Sequence, residues 1–282
     1  MRELNFKGNT PILYIIATPI GNLNEMTPRA LNVIKEMDYI ACEDTRVSGK
    51  LLAHFEIQKP LISCREHNEI SGAIRIINDI KSGQRVAYLS DAGYPSISDP
   101  GNRLVNEALA NGIKVSVISG ANAMLNALVG SGLNSERFYF HGFLSPKEKV
   151  RQEELRTLIK RRETLIFYEA PHRVIKTIFD MLKIFGNRRA CLARELTKKH
   201  EEYIRMNLSD LSMLDKETLK GEMVLVVEGN NEEIAPNIND DEVRKMISNL
   251  IDIGMTPKDA IKQVSDLLKL AKNHVYKIYH RN

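Results

Sequence analysis

Cysteine is scarce in this 282-residue sequence, and long hydrophobic runs are absent. The three cysteines, Cys42, Cys64 and Cys191, are far apart and form no Cys-x-x-Cys pair, so they predict neither a disulfide framework nor a zinc site. They fit small core residues in a reducing compartment. No stretch approaches the ~20 apolar residues of a membrane span, and no apolar run of signal-peptide length occurs near the first residue. We therefore expect a cytoplasmic protein.

Several common motifs for nucleotide, metal and hydrolase chemistry are also missing. No Gly-x-Gly-x-x-Gly follows the first predicted strand, and there is no Gly-Lys-Ser/Thr phosphate loop. Neither His-Glu-x-x-His nor the Gly-x-Ser-x-Gly turn of serine hydrolases occurs. The sequence therefore predicts no metal site, no ordinary dinucleotide site and no serine-hydrolase nucleophile.

What remains is an ordinary globular composition. Hydrophobic residues make up 43% and charged residues 27%, and this length suggests two domains or one large one. The formal net charge of +4 is mildly basic, which permits a polyanionic partner without requiring one.

Short apolar runs alternate with helical patterns along most of the chain. In the first half, strands are predicted at 12–17, 39–42, 61–64, 86–89 and 115–118. This alternation predicts an α/β domain over 1–120, with a largely parallel sheet and helices on both faces. The pattern restarts after Gly130, with strands predicted at 138–140, 164–168, 190–193 and 222–227. We therefore expect a second α/β domain over 121–232.

A polar stretch containing Pro236 precedes three helical patterns between residues 238 and 282. Basic residues outnumber acidic ones in this tail. Two interpretations stay open: a solvated helical appendage, or a tail that contacts nucleic acid.

Small-residue loops follow several of the predicted strands. They span 18–23, 90–99, 119–123 and 169–173. Open α/β sheets bind ligands at the carboxyl ends of their strands, and glycine lets the backbone approach a ligand closely. The loop after 86–89 combines Asp91 and Gly93 with Pro95 and Pro100. It predicts either a ligand crevice for a nucleoside-like molecule or a well-capped loop with Asx turns.

Six motifs in order resemble the tetrapyrrole-methylase superfamily, and within it the branch that methylates ribosomal RNA. They are Ala-Thr-Pro-Ile-Gly-Asn-Leu (17–23), Cys-Glu-Asp-Thr-Arg (42–46), Glu-His-Asn-Glu (66–69), Leu-Ser-Asp-Ala-Gly-Tyr-Pro (89–95), Tyr-Glu-Ala-Pro-His-Arg (168–173) and Arg-Glu-Leu-Thr-Lys (194–198). The resemblance covers nearly the whole chain. One departure is Ser119-Gly120, where many relatives have Pro-Gly, so the contact made by that turn is less well defined.

The resemblance implies two α/β domains with S-adenosylmethionine in the cleft between them. It also implies a homodimer that 2′-O-methylates a cytidine ribose in the decoding centre of 16S ribosomal RNA, cytidine 1402 by the family pattern. By motif match, the residues expected to bind the cofactor are Pro19, Asp91, Ala92, Gly93, Ile97, Ala121, Ala123, Tyr168, Ala170 and Met223.

A ribose hydroxyl is a poor nucleophile, so a base or a nearby cation is expected to assist it. The motifs supply the catalytic candidates Glu169, Glu43, Asp44, Arg46, His67 and Lys198. Structural alternatives stay open: Glu43, Asp44, Arg46 and His67 follow predicted strands and could instead cap helices, and Lys198 could form an exposed ion pair with Glu195. The expected RNA contacts are His172, Arg173, Lys258, Lys262, Lys272 and Lys277.

Two other functions stay open at this point. One is a methylase of tetrapyrrole precursors; the other is a non-catalytic RNA-binding factor in ribosome assembly. The basic tail and the Tyr-Glu-Ala-Pro-His-Arg motif disfavour the first. The glycine and aspartate of the loop after 86–89 disfavour the second.

Overall fold

The computed structural model describes residues 11–231, 239–268 and 270–280. The chain divides into two compact units, Met1–Asn230 and Asn231–Asn282. The first unit holds both predicted α/β domains, and the second corresponds to the predicted tail. The predicted boundary between the two α/β domains, near residue 120, falls inside this first unit. The division of the unit into two domains therefore stays a prediction.

The first half of the larger unit is a five-stranded sheet with helices between its strands. Its elements are β1 (Ile12–Ile16), α1 (Pro28–Glu36), β2 (Tyr39–Cys42), α2 (Thr45–His54), β3 (Leu61–Ser63), α3 (Glu69–Lys81), β4 (Val86–Leu89), α4 (Asn102–Ala110) and β5 (Lys114–Ile118). The strand order is β3-β2-β4-β1-β5, and every pairing is parallel. The predicted parallel sheet is therefore confirmed.

Local sequence explains why these elements form. All residues of β2 and β4 are buried, as expected of strands covered by helices on both faces. One apolar cluster centres on Ile76 and Tyr88, and another on Ile34 and Leu89. Thr27 caps α1, because its hydroxyl accepts a hydrogen bond from the Ala30 amide at 3.2 Å.

The second half contains a mixed sheet. Its elements are α5 (Ala123–Ser131), β6 (Phe138–Phe143), α6 (Glu148–Leu158), β7 (Thr164–Glu169), α7 (Val174–Phe185), β8 (Arg189–Arg194), β9 (Glu202–Asn207), α8 (Leu208–Leu211) and β10 (Met223–Val227). The order is β6-β7-β10-β8-β9. Only β6 and β7 are parallel; β10 pairs antiparallel with β7 and β8, and β8 with β9. The edge strand β9 has no counterpart among the predicted strands, because its largely exposed Glu-Tyr-Ile-Arg-Met-Asn lacks an apolar run.

The smaller unit consists of three helices in its described residues: α9 (Asp240–Asp252), α10 (Pro257–Leu268) and α11 (Lys272–His280). Its core contains Val243, Ile247, Val264 and Val275. Within a helix the buried residues are three or four apart, as Val243 and Ile247 of α9 and Val275 and Ile278 of α11 are, so each helix buries one apolar face.

One buried ion pair joins α6 to α7. Arg151 donates from Nε to Asp180 Oδ2 at 2.8 Å, and Gln152 donates to the other carboxylate oxygen at 2.8 Å. The Arg151 and Asp180 side chains are only 5% and 6% exposed. Arg151 is therefore a packing residue of α6, buried against α7.

Removing one partner of this pair should destabilise the larger unit strongly. Asp180→Ala leaves a buried guanidinium uncompensated, and we expect a loss of about 3 kcal/mol in the free energy of unfolding. The control Glu217→Ala breaks an exposed pair with Lys216, separated by 3.7 Å, and should cost no more than about 0.5 kcal/mol. Urea unfolding at neutral pH measures both; equal losses would contradict the assignment.

Candidate active site

A cavity of about 550 Å³ lies within the larger unit. This volume suits a small-molecule ligand. Both sheets contribute to its lining, which consists of Ile20, Ala92, Gly93, Tyr94, Ile97, Ser98, Asp99, Asn122, Ala123, Phe143, Tyr168, Glu169, Ala170, Pro171, Glu195, Leu196, Lys198, Gly221, Glu222, Met223 and Val224. From the first sheet come loops at the carboxyl ends of β1, β4 and β5, as expected for an open α/β sheet.

Backbone hydrogen bonds join the loop after β1 to the β4–α4 loop (residues 90–101). The Thr18 amide donates to the Gly93 carbonyl at 2.9 Å, and the Gly93 amide returns a bond to Thr18 at 3.1 Å. The Thr18 hydroxyl also donates to the Ser90 carbonyl at 3.2 Å. The loop after β5 joins them, since the Gly120 amide donates to the Tyr94 hydroxyl at 3.2 Å. The three loops thus form one continuous wall.

The β4–α4 loop contains unusual backbone. Ser96 and Ser98 have φ of 71° and 60°, a left-handed conformation that is costly outside glycine. Gly101 has φ of 128°, and a Cβ there would lie 2.9 Å from both the Tyr88 ring and Ser96 Oγ. Only glycine fits this position, and the fold around it holds Ile97 and Asp99 in the cavity lining.

The Glu-His-Asn-Glu motif contributes to this loop from outside the cavity. Glu69 Oε1 accepts hydrogen bonds from the Gly101 amide at 3.1 Å and the Arg103 amide at 3.3 Å. Glu69 therefore caps the start of α4. His67 of the same motif is exposed and is not among the residues lining the cavity.

The structure brings most of the predicted cofactor residues together. Ala92, Gly93, Ile97, Ala123, Tyr168, Ala170 and Met223 line the cavity. Pro19 and Ala121 precede the lining residues Ile20 and Asn122 but are not themselves in the lining. Asp91 also lies outside it, and its Oδ1 accepts a hydrogen bond from the Asp44 amide at 3.1 Å.

Of the predicted catalytic residues near the end of β2, Asp44 caps α2. Asp44 accepts hydrogen bonds from the Arg46 amide at 2.9 Å and from Arg46 Nε at 3.0 Å. The Arg46 guanidinium and amide hold the pKa of the Asp44 carboxyl well below its usual range. The Glu43 carbonyl accepts from Arg65 Nε at 3.0 Å. Glu43, Asp44 and Arg46 are not in the cavity lining.

Glu169 lines the cavity, but its carboxylate already interacts with three donor groups. It is 3% exposed, pairs with Arg173, and accepts hydrogen bonds from Thr177 Oγ1 at 2.6 Å and the Ala170 amide at 2.8 Å. Arg173, predicted to contact RNA, also donates to the Leu144 carbonyl at 3.1 Å. These bonds hold the start of α7 against β7. The neighbouring His172 is exposed.

Lys198 lies in the lining between two carboxylates. Its Nζ donates to Glu195 Oε1 at 3.0 Å and to Glu222 Oε2 at 2.9 Å. The hydrogen bond from Lys198 lowers the pKa of Glu195. The lysine stem packs over Gly21, where any Cβ would collide with it. Lys198 therefore brings the β8–β9 connection onto the loop after β1.

Asp99 is a titratable lining residue that is not among the sequence-based candidates. Burial, followed by the negative charges of Glu43 and Asp91, raises the pKa of the Asp99 carboxyl to about 6. Within the part of the chain that the structure describes, this carboxyl has no hydrogen-bond or ion-pair partner. Its signal in the sequence is Asp-Pro-Gly at 99–101, at the end of the β4–α4 loop.

The lysines predicted to contact RNA in the smaller unit are all exposed. Lys258 and Lys262 lie on α10, and Lys272 and Lys277 on α11. None of them contributes to the buried core of that unit.

Two further properties concern only residues 11–231, 239–268 and 270–280. No three His, Cys, Asp or Glu side chains there form a group that could hold a metal ion. Every helix there is too short or too polar to cross a lipid bilayer.

The chain belongs to the tetrapyrrole (corrin/porphyrin) methylase family, whose model matches residues 12–212, and this makes it a methyltransferase. Among its relatives, ribosomal RNA small subunit methyltransferase I of Bacillus subtilis is 42% identical and covers 99% of this chain and 98% of its own. The Synechocystis protein of the same name is also 42% identical, over 95% of this chain and 96% of its own.

Solved structures support the fold. Uroporphyrin-III-C-methyltransferase from Thermus thermophilus matches with a TM-score of 0.57 at 19% identity, covering 77% of this chain and 94% of its own. A putative diphthine synthase from Entamoeba histolytica matches with a TM-score of 0.60 at 18% identity, covering 83% of this chain and 96% of its own. These likenesses show the shared fold and nothing about substrate.

The pKa of Asp99 gives a pH-dependent stability. Because folding raises this pKa from its usual 3.8 to about 6, ionisation destabilises the native state as pH rises through 6. Asp99→Asn removes that cost, so its stability advantage over the wild type should be about 1 kcal/mol larger at pH 8 than at pH 5. Urea unfolding at both pH values measures the difference. A pH-independent difference would contradict the raised pKa.

Proposed function

We propose that this protein is an S-adenosylmethionine-dependent 2′-O-methyltransferase acting on a cytidine ribose in the decoding centre of 16S ribosomal RNA, the cytidine predicted above. The observation that carries the proposal is the full-length similarity to ribosomal RNA small subunit methyltransferases I, combined with a cavity lined by the family motifs.

The cavity suits S-adenosylmethionine chemically. Its apolar lining, including Ile97, Tyr168 and Met223, fits an adenine ring, and the backbone of Ala92 and Gly93 can approach a polar ligand closely. Four carboxylates and one lysine line it, and this negative balance favours a cationic sulfonium. When bound, S-adenosylmethionine supplies an electrophilic methyl group.

The chain's own residues would contribute mainly orientation. Holding a ribose oxygen in line with the methyl group can supply on the order of 7 kcal/mol of barrier reduction. Lys198, Glu169 and the motif residues Glu43, Asp44, Arg46 and His67 remain candidates for the substrate side. Pro19, Asp91 and Ala121 remain candidates for the edge of the cofactor site.

The RNA partner is supported by charge. His172 is exposed next to the lining residue Pro171, and the smaller unit presents Lys258, Lys262, Lys272 and Lys277 to solvent. Exposed cations of this kind bind phosphates without reading sequence. A ribosomal substrate is consistent with a cytoplasmic protein, and the family resemblance further predicts a homodimer.

Two measurements on the wild-type protein test this function. Calorimetric titration should detect S-adenosylmethionine binding. Incubation with small-subunit RNA or particles from a strain lacking the gene should then yield 2′-O-methylcytidine on nucleoside analysis. The decoding-centre fragment with a 2′-deoxy target cytidine is the matched control and should accept no methyl group.

Methyl incorporation into a tetrapyrrole precursor in place of RNA would support the first rival function. RNA binding without affinity for the methyl donor would support a non-catalytic assembly factor.

Neutralising the four lysines of the smaller unit should weaken RNA binding. The variant Lys258→Gln/Lys262→Gln/Lys272→Gln/Lys277→Gln removes four exposed charges, so RNA affinity should fall at least about tenfold and the salt dependence of binding should decrease. Affinity for S-adenosylmethionine should stay unchanged. The control replaces Lys35, Lys50, Lys81 and Lys216, four exposed lysines of the larger unit, with Gln. Filter binding at several salt concentrations compares the RNA affinities of the two variants. An equal loss of affinity in both would indicate that the lysines of the smaller unit do not contact RNA specifically.

A further inference from the structure

We propose that Phe143 is the stacking platform for the base of the target nucleotide. The proposal rests on the proposed 2′-O-methylation and adds to it the surface that holds the cytosine ring while its ribose is methylated. Three features of the structure support it: an exposed aromatic ring in the cavity lining, a strand bulge that turns this ring toward the cavity, and exposed cations beside it.

Phe143 combines a place in the cavity lining with a largely exposed side chain. Within the described chain, the aromatic residues of the lining are Tyr94, Phe143 and Tyr168, and of these Phe143 alone is exposed, at 54%. A side chain that lines a cavity and is still reached by solvent lies where the cavity opens. The fold therefore leaves an apolar ring uncovered at the opening, where stacking with another flat ring is favourable.

A bulge in β6 brings Phe143 to this position. The pairing of β6 with β7 shifts between Phe140 and Gly142, where β6 contains an extra residue. Phe140 and Phe143 are three positions apart and would lie on opposite faces of a regular strand, because successive side chains alternate. With the extra residue, both rings contact the Tyr168 ring, at centroid distances of 4.9 and 5.5 Å. Bulges of this kind re-aim side chains and are frequent next to active sites.

The surrounding structure fixes the bulge and the ring. Gly142 has φ of 82°, a conformation that favours glycine, and a Cβ there would lie 3.3 Å from Ser98 Oγ of the β4–α4 loop. The Phe143 and Tyr168 rings meet at 61°, an edge-to-face arrangement that is favourable for aromatic pairs. The ring is thus held before a ligand arrives, which lowers the entropic cost of stacking on it.

Exposed cations lie next to Phe143 along the chain and across the strands. The Leu144 carbonyl accepts a hydrogen bond from Arg173 Nη1 at 3.1 Å, which ties the residue after Phe143 to the residue after His172. His172 is exposed, and so is Lys147, immediately before α6. Cations bind RNA phosphates, and aromatic rings stack on bases. Proteins hold unpaired nucleotides with this combination of side chains.

The proposed reaction needs such a surface. Proteins that act on single nucleotides of RNA recognise bases that are splayed out and stacked on aromatic side chains. A stacked base places its ribose at the cavity opening, and a small error in that position greatly lowers the rate of an in-line transfer. Because every base has a flat face, the platform supplies affinity and orientation, while the choice of cytosine depends on other contacts.

A tryptophan substitution tests the contact directly. The sequence contains no tryptophan, so Phe143→Trp introduces a single indole fluorophore at the platform. Decoding-centre RNA should quench its emission by about half or more, because a stacked base quenches indole fluorescence. The same RNA with an abasic target nucleotide, and S-adenosylmethionine alone, should leave the emission nearly unchanged. The matched control is Phe179→Trp, since Phe179 of α7 is 59% exposed and lies outside the cavity lining, and its emission should not respond.

Alanine substitutions test the contribution to the reaction. Phe143→Ala should lower methyl transfer to subsaturating small-subunit RNA or particles at least about tenfold, because one stacked base is lost. Its dissociation constant for S-adenosylmethionine should change less than about threefold, since the ring is assigned to the RNA side. Phe143→Tyr keeps the ring and should retain most of the activity. Phe179→Ala should behave as the wild type.

Four outcomes would overturn the platform: full activity of Phe143→Ala, no quenching of Phe143→Trp by RNA, quenching of Phe143→Trp by S-adenosylmethionine alone, or a change of oligomeric state in Phe143→Ala. The third would make Phe143 a cofactor contact, and the fourth, measured by light scattering, a contact between copies of the chain. Failure of the wild-type protein to form 2′-O-methylcytidine in the same assay would instead overturn the proposed function, and the platform with it.

Discussion

The pair of backbone hydrogen bonds between Thr18 and Gly93 is the constraint on which the candidate site depends. Because β1 and β4 are adjacent parallel strands, their following loops emerge side by side at one edge of the sheet. The bridge joins these loops into a single wall, and the Glu69 cap fixes its far end at Gly101. Only a loop held at both ends can keep Ser96 and Ser98 in a conformation they would otherwise avoid.

The second sheet contributes apolar and charged side chains to the rest of the cavity lining. Its mixed topology brings β7 and β10 together, so that Tyr168 and Met223 of neighbouring strands both line the cavity. The β8–β9 connection adds Glu195 and Lys198, which pack over the loop after β1. The cavity therefore combines loops from the first sheet with strand ends and a connection from the second.

Hydrogen bonding separates the carboxylates of this cavity into two groups. Glu169 stabilises the packing of α7 through Arg173 and Thr177, although it lies in one of the six family motifs. Asp99 has no such hydrogen bond in the described residues, and the negative charges of Glu43 and Asp91 contribute to its raised pKa. Position within a motif thus says little about which carboxylate is available for chemistry.

The sequence by itself determined the α/β alternation and the parallel first sheet, because these depend on local periodicity and turn residues. The tertiary structure alone decided that the second sheet is mixed, that Arg151 is buried, and that Glu169 is saturated while Asp99 is not. Strand direction, burial and hydrogen-bond partners are set by residues far apart in the chain. Those contacts exist only after folding, so no local pattern records them.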